Sequence, residues 1–334
     1  MDCKFKKIAV AGLCAISVCA FSYIEYVSFT PDISPLSDVV KIAYEDNGSP
    51  VRGTDVPGVA TTSTLANILD VMIDKKNGGF QSSGILAKLG LQDNITSWET
   101  GVRYMAIDFS QALQLNFSKQ NSNQDDDPVL RKTVGLLTFP ATSYWFPSSE
   151  SQYAKTLDGV RDFESRLLDS DDSNAQFVAR VGTLTPWLGM VSKRLDGYNQ
   201  KLLMSQDYYR VNTNLAGDRE GGESKTSPDF SLDRTPWVEV DNVFFEARGA
   251  CWALIQEFEA IASDFNRTLK DKNNLPMVEQ IIADLKKTQE EPAFFMVLNG
   301  GGYGFTSNYS LTLASYIGSA SRNLHSLIKS LNNG

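Results

Sequence analysis

FVARVGTLTPWLGMVSKRLDGYNQKL, residues 177–202, decides the fold class. Its apolar residues fall at Phe177, Val181, Leu184, Leu188, Val191, Leu195, Tyr198 and Leu202, in alternating steps of four and three. That spacing sets one stripe along one side of a 3.6-residue helix and predicts about seven helical turns. Pro186 predicts a kink there, because proline lacks the N–H and its ring crowds the carbonyl of residue 182. Gly182 relieves some of that crowding.

The same alternation recurs elsewhere. A second stripe runs Phe244, Ala247, Cys251, Leu254, Phe258, Ile261, Phe265, Thr268. A third runs Trp98, Val102, Met105, Phe109, Ala112, and a fourth Leu313, Ile317, Ala320, Leu324, Ile328, Leu331. Shorter helices are expected at 62–76, 148–168 and 275–289, the middle one with Ser148, Ser149 and Glu150 to receive its first-turn N–H groups. Such stripes pack against one another, so the expectation is a mainly α protein, an antiparallel helical bundle with long loops. Intermolecular coiled coil is disfavoured, since glycines and loops interrupt the pattern before enough heptads accumulate.

Between the helices, residues 31–58 are rich in Pro, Asp, Gly and Ser and read as a linker with one short strand near Val39–Tyr44. Stretches 119–147 and 206–238 break the helical pattern, and the second is the best internal boundary. The plan is an N-terminal segment at 1–30, a linker at 31–58 and a first helical part at 59–205. A connector follows at 206–238, and a second helical part at 239–334 packs on the first.

Lys4, Lys6 and Lys7 stand before an uncharged apolar run from Ile8 to Ile24, and Tyr26, Val27 and Phe29 prolong it. Retained lysines followed by apolar residues send the rest of a chain across a membrane. A single transmembrane helix over residues 8–29 is expected, serving as a signal-anchor. A cleaved signal, or a lipoprotein cut near Val18-Cys19-Ala20, are the alternatives.

Composition excludes several classes. The 334 residues carry a net charge of -9, which argues against a nucleic-acid partner. Of four cysteines only Cys251 lies beyond residue 19, so the body has no internal disulfide. The lone histidine, His325, sits on a helical pattern and suits packing or surface contact. A paired-histidine metal site and a serine–histidine arrangement with an upstream imidazole are excluded. No cofactor is implied.

Candidate contact residues form small groups. Glu99 and Arg103 are an i,i+4 pair of favourable orientation. Glu246 and Arg248 open the second long helix behind Asp241, and Arg248 could pair with its own helix or with a loop carboxylate such as Asp218. Asn299–Gly304 resembles a glycine-rich turn but lacks a phosphate-binding lysine, so a tight connector is the better reading. Asp125–Asp127 lack the alternating ligands of a calcium loop and read as solvated.

Several words are specific. Val56-Pro57-Gly58-Val59 precedes Thr61-Thr62, and Asp93-Asn94-Ile95 precedes Trp98-Glu99. Asn212–Asp218 and Arg234-Thr235-Pro236-Trp237 come before Asp241–Gly249 and Trp252-Ala253-Leu254, and Leu298–Phe305 leads into the last helix. Their identity and order resemble an uncharacterised bacterial family, domain of unknown function 2333. The resemblance spans nearly the whole chain after the apolar run. It implies placement in the inner membrane of a Gram-negative bacterium, with the body in the periplasm, and brings no activity or catalytic residue. The expected function is therefore a non-enzymatic scaffold or interaction component of a cell-envelope assembly. Its partners would be the membrane through residues 8–29 and another envelope protein, with a homo-oligomer left open. The rival is an enzyme or small-molecule binder acting on cell-wall or lipid material through carboxylates and Arg.

Overall fold

A computed structural model describes residues 30–48, 56–74, 79–90, 92–121, 123–169, 175–206, 208–211, 230–291, 297, 299–300 and 307–333. The expected anchor over 8–29, Asp218 and most of the glycine-rich turn lie outside the described residues. Among the described residues, no helix is long and apolar enough to cross a membrane.

The chain is mainly helical. The first described helix, α1 (Leu36–Asp46), replaces the strand expected at Val39–Tyr44. Val39, Val40, Ala43 and Tyr44 are buried together, and positions i, i+1, i+4 and i+5 share a face only in a helix. In a strand, Val39 and Val40 would point to opposite sides. Two strongly β-preferring valines were outweighed by burial of that face on Val59, Ala60 and Ala260.

Helix α2 (Val59–Ile73) begins behind Gly58, whose φ of 95° suits glycine alone, with Phe177 where a side chain would stand. The Asp264 carboxylate accepts from Gly58 N at 2.9 Å and Thr61 N at 2.7 Å, capping α2 from a distant helix. A short helix, α3 (Ile85–Lys88), leads to α4 (Asp93–Ala112), which ends in one π turn at Leu113–Phe117.

The stretch expected to be loop, 119–147, contains α5 (Pro128–Leu137). Asp127 accepts from Val129 N and Leu130 N with Pro128 behind it, the chemistry of a helix start. The acidic run is accordingly solvated only at Asp125, which is exposed, while its other two members are engaged in the fold. Asp126 pairs with Lys119, and Asp127 with Arg166 at 2.8 Å.

Helices α6 (Ser149–Leu168) and α7 (Val181–Leu203) follow. Phe177 precedes α7 and packs on Phe117 and Phe265, so the 177–202 stripe starts in extended chain. Pro186 lies inside α7 without ending it. A two-stranded antiparallel pair, β1 (Tyr208–Val211) and β2 (Phe230–Asp233), places Tyr208 opposite Asp233. Then come α8 (Val240–Asp264), α9 (Asn266–Asp271), α10 (Leu275–Lys287) and α11 (Tyr309–Asn333).

One buried cluster runs from Leu65 to Leu331 and joins helices on both sides of 206–238. Most neighbours are antiparallel as expected. Ser192 faces His325 while Asp196 faces Ser321 across α7 and α11, and Asp70 faces Arg161 across α2 and α6. The closest pair departs from that plan. Trp98 meets Gly249 and Asp108 faces Glu257, so α4 and α8 run parallel. More than a hundred residues of connecting chain permit that direction, which a short loop would forbid. Gly101 and Gly249 bring the two backbones together, since a Cβ at either would strike the other helix's carbonyl.

Candidate functional site

Helix α7 repeats Arg194, Tyr198 and Lys201 at i, i+4 and i+7, so these three share one face. Gly197 between them adds no side chain, and the face opens into a cavity of about 340 Å³ bounded also by Thr100 and Tyr104 of α4. A second cavity, about 720 Å³, adjoins it at Lys201 and Glu246. Met204, Arg234, Pro236, Asn242 and Val243 line that one. The backbone N–H of Thr235 donates to Met204 O at 2.8 Å and pins the 234–236 segment beside the end of α7.

Arg194 and Lys201 in this cleft are paired but within reach. Asp108, buried, accepts from Arg194 Nε at 2.8 Å and Nη2 at 3.1 Å, and the guanidinium lies over Tyr104. Both contacts fix its direction. Lys201 Nζ is 3.5 Å from Glu246 Oε1, and its ammonium approaches the Tyr198 ring. Burial first, then the Glu246 charge, pushes the Tyr198 hydroxyl well above its ordinary value, so it stays a neutral donor. Directly after Pro236 in sequence, Trp237 is 78% exposed, with Val238 beside it.

The sequence candidates do not converge. Glu246 alone lines the cleft. Glu99 does not pair with Arg103. Its carboxylate accepts from Gln81 N at 2.6 Å, Ser82 N at 2.7 Å and Ser82 Oγ at 2.5 Å, holding the 81–83 turn under α4. Arg103 Nη2 instead donates to Phe139 O at 3.3 Å. The reason is geometric: Glu99 is buried on the α4 face that meets that turn, where backbone donors outcompete a flexible neighbour. Among the described residues, Arg248 pairs with no carboxylate. It donates to Glu290 O at 2.6 Å and Gln289 O at 3.3 Å, satisfying carbonyls just past the end of α10. Asn299 sits in a bridge with Asn308, and its carbonyl accepts from Gln206 Nε2 at 3.1 Å, which fits a connector.

Four buried acids stand outside the cleft. Burial pushes Glu99 and Glu164 up to about 7 and Asp264 to about 6, each against donors that pull the other way. Glu257 is raised further, by burial and then by Asp108, and neither of its oxygens has a partner. Glu99 stands on α4 and Glu257 and Asp264 on α8, while Glu164 of α6 lines a small pocket with Asp46, Asp70 and Arg161. Cys251 is buried and its thiol is pushed up to about 12, which leaves it unreactive. His325 Nδ1 donates to Ser321 O at 2.9 Å, and Nε2 meets Ser192 Oγ at 3.2 Å, tying α11 to α7. Among the described residues, no group of three or more metal-ligating side chains converges.

Sequence reading missed the cleft. The i, i+4, i+7 repeat of Arg194, Tyr198 and Lys201 was the available signal, but Tyr198 also belongs to the apolar stripe and reads first as core. The profile of a family described as "Uncharacterized protein conserved in bacteria (DUF2333)" matches residues 5–334. No curated protein and no solved structure matches the chain.

Proposed function

We propose a role from one premise, that the chain belongs to the DUF2333 family of uncharacterised bacterial proteins: it is a membrane-anchored helical protein that holds an envelope partner in the α7–α8 cleft. The observation that carries this is the cleft's composition. Tryptophan, tyrosine and arginine dominate binding energy at protein interfaces, and here Tyr104, Tyr198 and Arg194 line the first depression while the exposed Trp237 follows Pro236 of the second. The apolar floor of Met204 and Val243 and the paired rim charges suit a partner that buries an apolar segment and exchanges ion pairs at its edge. The N-terminal lysines and apolar run support anchoring, with the body in the periplasm of a bacterial inner membrane.

The rival enzymatic reading needs two acids converging in a depression, one held protonated. Glu239 and Glu246 both line the α7–α8 cleft, but Glu164, pushed up to about 7, lines a separate pocket with Asp46, Asp70 and Arg161. At about 80 Å³ that pocket is small for a ligand site, so the cleft is the stronger candidate.

The test is capture of partners by the solubilised full-length chain after crosslinking in cells. Trp237→Ala is expected to weaken capture about 30-fold, the loss typical of an interface anchor. Equal capture by the variant and the parent would contradict the cleft.

A further inference from the structure

The turn between α5 and α6 presents Tyr144, Trp145 and Phe146 in succession, and Phe146 is fully exposed. Ile85 and Leu89, exposed at 58% and 65%, are close by, because Lys88 between them lies over the Tyr144 ring at 5.2 Å. This exposure is built into the fold. At the base of the turn Ser143 N donates to Ser149 Oγ at 3.0 Å and Ser149 N donates to Ser143 O at 3.0 Å. Ser149 Oγ, itself buried, donates to Pro140 O at 2.6 Å, and Ser143 Oγ donates to Pro147 O at 3.0 Å. The backbone is satisfied by its own loop, so three aromatic rings are held outward at a cost in exposed apolar surface that folding alone does not explain.

We propose that this turn dips into the interface of the bilayer that anchors the chain, as a second point of membrane attachment. Tyr and Trp are the residues that settle at headgroup level, Phe146 supplies the apolar tip, and Lys88 suits phosphate groups above it. The sequence and the fold together supply the geometry. The apolar run ends near residue 29, and α1 begins at Leu36, which packs on the same small buried cluster as Leu168 at the last turn of α6. The aromatic turn stands at the other end of α6, which spans 20 residues or about 30 Å. Two attachments at opposite ends of α6 lay that helix along the membrane and fix which face of the body looks away from it. This inference rests on the anchoring proposed above.

The experiment places the full-length chain in bilayers with and without brominated acyl chains, and reads tryptophan fluorescence for the parent, Trp145→Phe and Trp237→Phe. The signal lost in Trp145→Phe is expected to be quenched severalfold by bromine, and that lost in Trp237→Phe is not. Flotation with the vesicles reads the anchor separately. A chain that floats while its Trp145 signal ignores bromine overturns the second attachment and gives the turn to a protein partner. A chain that does not float overturns the anchor and the second attachment together.

Discussion

Glu99, Glu164 and Asp264 are held protonated over a range in which an unfolded chain releases their protons. The sign follows: with the folded pKa raised from 4.5 to about 7 for Glu99, its contribution is complete below 4.5 and is lost as pH rises through about 7. For Glu99 alone the change amounts to about 3 kcal/mol. Urea midpoints are therefore expected to be higher near pH 5 than near pH 8, and Glu99→Gln should flatten the slope; an unchanged slope would contradict the assignment. Glu257 makes a different prediction. It is fully buried with both oxygens unpartnered, so Glu257→Met should stabilise the fold by roughly 1–3 kcal/mol, read as a raised thermal midpoint. A lowered midpoint would mean that the carboxyl has a hidden structural partner. These settings were not legible in the sequence. Glu99 and Arg103 have the spacing of a surface ion pair, and only the turn at 81–83, brought in from outside the helix, makes Glu99 a buried acceptor. Arg248 is similar: its partners are carbonyls about forty residues away in sequence.

Helices were far more legible than their partners. The stripes at 98–112 and 313–331 each lie within an observed helix, and that at 244–268 follows α8 and then passes its end at Asp264 into α9, because burial along one side imposes the 3.6 period directly on the sequence. The misses, α1 and α5, are short elements whose composition is that of loops. Pro35 and Pro128 read as breakers, yet each stands at a helix start, where a missing N–H costs nothing. Asp127 caps α5 and grips Arg166 of α6, so Asp127→Ala should cost about 2 kcal/mol, and retention of full stability would refute its double role. The direction of α4 against α8 could not be read from stripes, which report a buried face but not its neighbour. Gly249→Ala tests that contact. Its new methyl group meets the Trp98 carbonyl, and the expected loss is about 3 kcal/mol, as for overpacking at a site that cannot yield. In Gly182→Ala, where nothing stands within 4 Å, no comparable loss is expected.

As a whole, the molecule is a helical body with one shared core and two unusual surfaces. The cleft gathers residues from α4, α7, α8 and the 234–239 segment, which are distant in sequence, and so it appears only after folding. The aromatic turn was visible as Tyr144, Trp145 and Phe146, but a sequence cannot say whether such residues turn inward or outward. On the proposed reading both surfaces give the body a direction: one end of α6 would be tied to the bilayer, the other would touch it, and the cleft would face a partner. The most direct measurement of the central claim is site-specific photo-crosslinking in intact cells, with the reactive residue at position 237, next to Pro236 of the cleft, and, for comparison, at the exposed position 329 on α11. The account predicts one discrete crosslinked species from 237 and none from 329. Identical patterns at both positions, or no adduct at 237, would contradict a partner-binding cleft.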